Sequence, residues 1–154
     1  MFGSVRFGRR KLTVISLVCF AVLLAVCVLT LRVSPPDTVS IGGGAYPLSV
    51  GGREDIESFI GRCGYVPDSL VSETEVTVPE EWNRVYTDYA ELQRAQGLSL
   101  ERYRGRSAAQ YVYSLKDSES FAAVLVSDGR IIAAHTCTMI YGDGIGPLIT
   151  EQIR

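Results

Sequence analysis

An uncharged, apolar run of twenty residues, Leu12–Leu31, constrains this chain more than any other feature of its sequence. At about 1.5 Å per residue, a helix of that length would cover about 30 Å, the thickness of the hydrocarbon core of a bilayer. Four basic residues precede the run and one, Arg32, follows it. Because basic residues favour the cytoplasmic side, we expect a single-pass helix over residues 12–31 in the cell membrane, a cytoplasmic tail over residues 1–11 and an extracytoplasmic C-terminal domain.

Two other N-terminal signals compete with this interpretation. A cleaved signal peptide has an apolar region of about 7–15 residues that ends at small residues, whereas this run is longer and leads into Arg32 and Val33. Lipid attachment at Cys27 is disfavoured because Val26, which precedes it, is a poor cleavage-site residue. We therefore favour an uncleaved anchor.

The chain beyond residue 32 is long enough for one domain and a linker. It carries all seventeen acidic residues against ten Lys and Arg, a formal charge of −7, which argues against nucleic acid and anionic lipid head groups as partners. Residues 32–52 are rich in glycine and proline and predict a flexible stalk, with a short strand over residues 48–50 as an alternative. We expect the folded domain over residues 53–141 and an irregular tail over residues 142–154.

Two helices are predicted in this domain. The first spans residues 53–63, and its apolar residues recur at helical spacing: Ile56, Phe59, Ile60 and Cys63. The second spans residues 79–96, from a first-turn proline to the cap Gly97. Its apolar stripe is Trp82, Val85, Tyr86, Tyr89 and Leu92.

The remaining elements are strands. Residues 73–78 alternate polar and apolar side chains and predict an edge strand. Residues 107–115, 120–127 and 130–139 are rich in Val, Ile, Tyr and Phe, and Asp128-Gly129 between the last two is typical of a hairpin turn. The expected fold is α+β: an N-terminal transmembrane helix, then a small domain with two helices packed on one face of a three- to four-stranded antiparallel sheet.

The second helix and its sequel resemble a known family. The residues that carry the resemblance are Pro79, Glu80, Glu81, Trp82, Tyr86, Tyr89, Leu92, Gln93, Gln96, Gly97, Leu100, Tyr103, Arg104 and Gly105, with residues 128–132 later in the chain. The family is a bacterial domain-of-unknown-function family of small, exported proteins with a single membrane anchor. In it a proline-started helix ends in Gln-x-x-Gln-Gly, a Leu-x-x-Tyr-x-Gly link follows, and a hairpin leads to a strand with a cysteine, here Cys137.

The resemblance spans residues 53–140 and implies this fold and location without implying an activity. The chain departs from the family pattern just before Cys137. Ala133, Ala134 and His135 stand where that pattern has a glycine pair and an acidic residue.

Cys63 and Cys137 form a candidate disulfide. Export would permit one, and closing so long a loop would stabilise the fold by roughly 4 kcal/mol. If the first helix covers the strand face that carries Cys137, the two thiols point into the same core. We favour the alternative of two separate buried thiols.

His135, the only histidine, lies two residues from Cys137, so both side chains leave one strand face about 7 Å apart. A zinc site needs four ligands, and neither a Cys-x-x-Cys nor a His-x-x-x-His is present. We therefore expect no catalytic residue, metal or cofactor. Tyr111 and Tyr113 share a sheet face and are interpreted as core rather than as an aromatic binding surface.

The preferred hypothesis is a non-enzymatic, membrane-tethered module that binds an envelope protein or peptide through a strand edge. One alternative is an envelope enzyme or regulator whose site lies near Cys137 and His135. Another is a spacer without a specific ligand.

Overall fold

The computed structural model describes residues 18–23, 37–138 and 144–150. Contacts divide the chain into two units, Met1–Pro35 and Pro36–Arg154. In the first, residues 18–23 are helical and exposed. None of the helices formed by the described residues has the length and apolar character needed to cross a membrane. The predicted tail over residues 1–11 and most of the predicted span over residues 12–31 lie outside those residues.

The second unit is α+β, as predicted. Its strands in chain order are β1 (Thr38–Ile41), β2 (Gly44–Pro47), β3 (Pro67–Thr77), β4 (Ser107–Leu115), β5 (Ser120–Ser127), β6 (Arg130–Thr138) and β7 (Ile145–Pro147). Its helices are α1 (Arg53–Arg62) and α2 (Arg84–Ala95), with a short 3-10 helix at Leu100–Tyr103. Strands β1 and β2 form a hairpin, and β3 to β7 form one antiparallel sheet in sequence order. The sheet therefore has five strands, more than the three or four predicted.

The turn between β5 and β6 confirms the predicted hairpin. Asp128 and Gly129 both adopt left-handed backbone conformations, with φ of 51° and 68°, as a two-residue turn between twisted strands requires. Strands β4 and β5 coincide with the predicted segments, and the last residue of the third predicted segment lies outside the described residues.

The two helices pack on opposite faces of the sheet, so the prediction of one shared face was wrong. Along β5, Val124 belongs to the core that contains Phe59 of α1. The next residue, Leu125, belongs to a second core, against which Tyr89 of α2 packs. Strands β5 and β6 are buried on both faces, so each face needs its own cover. We call these faces the α1 face and the α2 face.

Helix α1 begins at the predicted residue and ends at Arg62, one residue before the predicted end. The Asp55 carboxylate accepts hydrogen bonds from the backbone N–H groups of Gly51 (2.7 Å) and Gly52 (3.3 Å) at the N-terminus, where a negative charge is favourable. Gly64 follows the helix with φ of 93°, a conformation that side chains with a Cβ rarely adopt.

Helix α2 begins five residues later than predicted. Its N-cap is Asn83, whose side chain accepts a hydrogen bond from the N–H of Tyr86 (3.1 Å). Pro79 therefore precedes the helix, and its carbonyl accepts a hydrogen bond from the Trp82 indole (2.8 Å). Asn83 rather than the residue before Pro79 caps the helix, because its side chain accepts a hydrogen bond from a backbone N–H that has no partner within the helix.

The buried face of α2 also differs from the predicted stripe. Val85 is 72% exposed and Tyr86 is also exposed. Ala90 and Gln93 are buried on the helix, and the following Gln96 is buried as well. The helix is therefore held partly by polar side chains, which an apolar periodicity does not detect.

Much of the predicted stalk is folded. Val39 of the β1–β2 hairpin and Leu48 just after it are buried in the core of the α1 face. The Leu48 carbonyl accepts a hydrogen bond from Ile131 N–H (2.9 Å), and Val50 N–H donates to the Gly129 carbonyl (2.8 Å). The unit that contains the sheet therefore includes β1 and β2. Apolar residues occupy alternate positions before and after the glycines at 42–44, so one face of the segment can be buried.

The predicted irregular tail also contains packed structure. Strand β7 pairs with β6 opposite His135, Thr136 and Cys137, and Leu148 and Ile149 after it are buried in the core of the α1 face. These residues close the C-terminal part of the β6 edge.

Two fully buried glutamines cover the β6 edge at Ala134, between the part paired with residues 48–50 and the part paired with β7. The Gln93 side-chain oxygen accepts a hydrogen bond from Ala134 N–H (2.8 Å), and the Gln96 side-chain nitrogen donates to the Ala134 carbonyl (3.0 Å). The Gln96 oxygen accepts from the N–H groups of Leu148 (2.8 Å) and Ile149 (2.9 Å). The side chains of Gln93 in α2 and of Gln96 just after it thereby supply hydrogen bonds of the kind that a neighbouring strand would supply.

Replacing Gln96 by alanine should destabilise the fold strongly. The change leaves the Ala134 carbonyl and two backbone N–H groups buried without partners, at about 1–3 kcal/mol each. We expect the free energy of unfolding of the full chain to fall by at least about 3 kcal/mol, measured by denaturant titration with fluorescence from Trp82, the only tryptophan. The control Glu91→Ala, at an exposed position of α2, should change it by less than about 0.5 kcal/mol. Equal effects of the two variants would contradict this account.

Candidate functional site

The outer edge of β3 is the first element of the candidate site. Strand β3 pairs with β4, and the described residues place no strand on its other side. Val78, just beyond β3, donates its N–H to the Arg106 carbonyl (2.9 Å). Because hydrogen-bonded positions alternate along an antiparallel pair, the backbone N–H and C=O groups of Glu73, Glu75 and Thr77 point away from β4. These groups form an open, regular edge, which confirms the predicted edge strand.

The two sides of this edge differ in chemistry. Glu73 lies on the α1 face and forms an exposed ion pair with Arg53 of α1. Glu75 shares that face by strand alternation and accepts a hydrogen bond from the Ser107 hydroxyl. Val76, the next residue after Glu75, lies on the α2 face and packs against the core of that face. The edge is thus acidic on one face and apolar on the other.

A cleft of about 370 Å³ opens on the α2 face beside the end of β3. Its lining consists of residues 76–79, Val85, Tyr86 and Tyr89 of α2, and Leu100, Gln110, Leu125, His135 and Ile145. No Asp, Glu, Lys or Arg is among these described residues. At its rim, Val85 is 72% exposed and Ile145 is 53% exposed. The cleft therefore offers an uncharged, largely apolar surface.

A histidine–tyrosine pair lies in this cleft. The Tyr89 hydroxyl and His135 Nδ1 are 2.9 Å apart and hydrogen-bonded, and the two rings meet edge to face at 5.4 Å. Burial lowers the pKa of His135 from 6.5 to about 4, so the imidazole is neutral at neutral pH. Burial also raises the pKa of Tyr89, so its hydroxyl stays protonated. The pair is a neutral hydrogen-bonding unit joined through the Tyr89 hydroxyl and His135 Nδ1.

The structure places Cys63 and Cys137 apart. Cys63 packs against the core of the α1 face, whereas Cys137 shares the α2 face with His135 by strand alternation. Both are free thiols, so the candidate disulfide is not formed in this structure. Burial raises the pKa of Cys63 to about 12 and also raises that of Cys137.

Cys137 adds a thiol to the histidine–tyrosine pair. It lies two residues after His135 on β6 and therefore projects on the same face of the sheet as that imidazole. Across the described residues, no group of three or more His, Cys, Asp or Glu is arranged to hold a metal ion. A neutral imidazole beside a protonated thiol suits hydrogen bonding better than nucleophilic attack, for which a thiolate is needed.

The tyrosines of β4 belong to the core, as predicted. Tyr113 is 1% exposed and lies in the core of the α1 face, and Tyr111 packs against that core. They form no exposed aromatic surface, and the cleft and the open edge lie instead on the α2 face and along β3.

Sequence reasoning missed the polar residues that organise α2. In the sequence, Gln93 and Gln96 stand out only as part of a family-like spacing, Gln-x-x-Gln-Gly, and Tyr89 only as a member of an apolar stripe. The available signal was the spacing itself, because residues three apart in a helix share a face. A polar pair on a buried helical face indicates partners elsewhere in the fold.

Comparison with known proteins identifies the domain without assigning an activity. The family model described as Domain of unknown function (DUF4830) matches residues 59–136. The match begins in α1 and ends in β6, so it includes both glutamines, β3 and most of the cleft. The chain matches no curated protein and no solved structure.

The buried His135 should make stability fall in acid. Its folded pKa of about 4 lies below its ordinary value of 6.5, so between these values the unfolded chain binds more protons. The stabilisation is complete above about pH 6.5 and is lost as pH falls toward 4, by about 2 kcal/mol at pH 5. Denaturant titrations at pH 7.5 and 5 should show a smaller acid loss for His135→Gln than for the unmodified chain. Equal losses would show that His135 is not titrating this way.

Proposed function

We propose that this chain, which belongs to the DUF4830 family of domains of unknown function, is a non-enzymatic bacterial module that binds an extended segment of an envelope protein or peptide. In this proposal residues 12–31 anchor it in the cell membrane, with the N-terminus cytoplasmic and the C-terminal domain extracytoplasmic. The observation that carries the binding function is the open edge of β3, because an unpaired strand edge can accept a strand from a partner.

The contrast between the two ends of the sheet supports this use of β3. At the other end, the outer edge of β6 is covered by residues after β2, by the amides of α2 and by β7. Strand β3 has an irregular register between Pro67 and Ser72 but pairs regularly with β4 from Ser72 to Thr77. In that regular stretch, three residues direct their backbone N–H and C=O groups outward, where a partner strand can form hydrogen bonds with them.

The proposed location rests on the sequence. An apolar run long enough to span a bilayer, basic residues before it and an acidic domain after it favour this orientation. The resemblance to singly anchored exported proteins supports the same location.

The alternative function is an envelope enzyme or regulator with a site near Cys137 and His135. The contact between Tyr89 and His135, with Cys137 on the same strand face, favours it. A nucleophilic cysteine needs a lowered pKa and a nearby base, whereas burial raises the pKa of Cys137 and keeps His135 neutral. We therefore place binding before catalysis.

Strand addition on β3 should be visible by crosslinking in cells. A photo-reactive amino acid at the exposed Thr74 should give a discrete adduct with a partner. Glu75→Pro, which removes an outward N–H but no bond to β4, should abolish the adduct, since proline cannot donate. Glu75→Gln, which keeps the N–H, should retain most of it, and Cys137→Ala should retain all of it. The readout is the adduct band with mass-spectrometric identification.

A probe at the exposed Glu119, between β4 and β5, serves as the control and should give no such adduct. An adduct from Thr74 that survives Glu75→Pro would rule out strand addition. Loss of the adduct in Cys137→Ala would favour the enzyme or regulator. No adduct from Thr74 would favour a spacer without a ligand.

The proposed topology predicts the behaviour of a reporter fused after Arg154. The full chain should fractionate with membranes, and the reporter should be active only outside the cytoplasm. Deleting residues 12–31 should release the chain from the membrane fraction. A soluble full chain, or a reporter active in the cytoplasm, would overturn the proposed location.

A further inference from the structure

We infer that the cleft on the α2 face receives one uncharged apolar side chain of the strand that adds to β3, and that the same strand carries basic residues opposite Glu73 and Glu75. This inference rests on the proposed strand addition and specifies its partner. The juxtaposition that carries it is an uncharged cleft at the end of an acidic strand edge.

The cleft fits an apolar anchor in place and in chemistry. Residues 76–79, at and after the end of β3, form one of its walls, and Val85 and Tyr86 of α2 contribute another part of the lining. A charged side chain in this cleft would lose hydration and find no charged partner among the lining residues, which is costly. The exposed apolar area of Val85 and Ile145 at the rim would be covered by an apolar group. Pockets of about 300–1,000 Å³ are typical of ligand sites, and this cleft is within that range.

The hydrogen bond between Tyr89 and His135 contributes to this selectivity. Because the Tyr89 hydroxyl and His135 Nδ1 are bonded to each other, neither of these two atoms requires a polar group of the ligand as its partner. The neutral imidazole also offers no charge with which to bind an anion.

Strand alternation then dictates the pattern of the partner. In a strand added beside β3, the residue opposite Val76 projects on the α2 face, where the cleft lies. The residues opposite Glu75 and Glu73 project on the other face, beside the two carboxylates. The partner therefore has two basic residues two positions apart, opposite Glu73 and Glu75. An apolar residue lies opposite Val76, directly next to the basic residue that faces Glu75.

Charge complementarity supports the basic positions. Glu73 forms an exposed ion pair with Arg53. Glu75 accepts a hydrogen bond from the Ser107 hydroxyl but forms no ion pair within the described part of the chain. A cation from the partner would supply one. Exposed ion pairs are worth about 1 kcal/mol or less, so the basic residues select the partner and the anchor provides more of its affinity.

The test uses a short, dye-labelled peptide with capped ends that places two lysines two positions apart and a phenylalanine next to the second. It is made in both sequence directions, since strands add parallel or antiparallel. Fluorescence anisotropy measures its binding to the full chain in lipid nanodiscs. We expect one direction to bind, and to weaken at least ~10-fold when phenylalanine becomes aspartate and at least ~3-fold when both lysines become glutamate.

Protein variants test the same contact from the other side. Val85→Glu places a charge at the cleft rim and should weaken binding at least ~10-fold. The matched control Val66→Glu, at a 60% exposed valine before β3, should leave binding unchanged. Neither position is buried, so both variants should fold.

The outcomes separate the inference from the proposed function. If Glu75→Pro abolishes peptide binding and Val85→Glu does not, strand addition stands and the anchor assignment is wrong. If Val85→Glu abolishes binding and Glu75→Pro does not, the cleft binds without strand addition, which overturns both. If neither peptide binds the unmodified chain, the basic–apolar pattern is wrong, and the crosslinking from Thr74 alone decides the proposed function.

Discussion

The hydrogen bonds of Gln93 and Gln96 to the backbone of Ala134 are the constraint on which the rest of the domain depends. A central strand buried on both faces needs every backbone group paired, and β7 reaches only the last part of β6. The two amides continue the pairing with side chains, and Gln96 also binds the backbone of Leu148 and Ile149. One helix thereby closes the sheet edge and secures the C-terminal segment, which leaves β3 as the open end of the described sheet.

The apolar character of β5 and β6 on both faces determines where the cleft forms. Helix α1 covers one face, and α2 with the following 3-10 helix covers the other. Because the cap at Asn83 starts α2 late, its first turn holds Val85 and Tyr86 at the surface instead of in the core. These two residues line the cleft, together with residues 76–79 at and after the end of β3.

Local signals were sufficient to predict the central strands, the Asp128-Gly129 turn and α1, because alternation, turn residues and caps act over a few positions. Such signals could not predict that the two helices pack on opposite faces of the sheet, or that two glutamines bond the β6 edge at Ala134. Gln93 and Gln96 find their backbone partners 41 and 38 residues away, and Gln96 finds another 53 residues away. Glycine content likewise made residues 38–47 resemble a linker, although their alternation supports a hairpin. Of the candidate site, the sequence indicates the edge strand and His135. It does not indicate the cleft, which the end of that strand and His135 both line.

An open strand edge also risks pairing with another copy of the same chain. In such a pair the acidic face of one β3 would meet the acidic face of the other, with Glu73 and Glu75 of both copies brought close together. Like charges across a strand pair destabilise it, and the irregular register before Ser72 shortens the stretch that could pair. A basic partner meets no such repulsion. The carboxylates that disfavour self-association are thus the same groups that favour a basic strand, so a single feature of β3 would serve both solubility and selectivity.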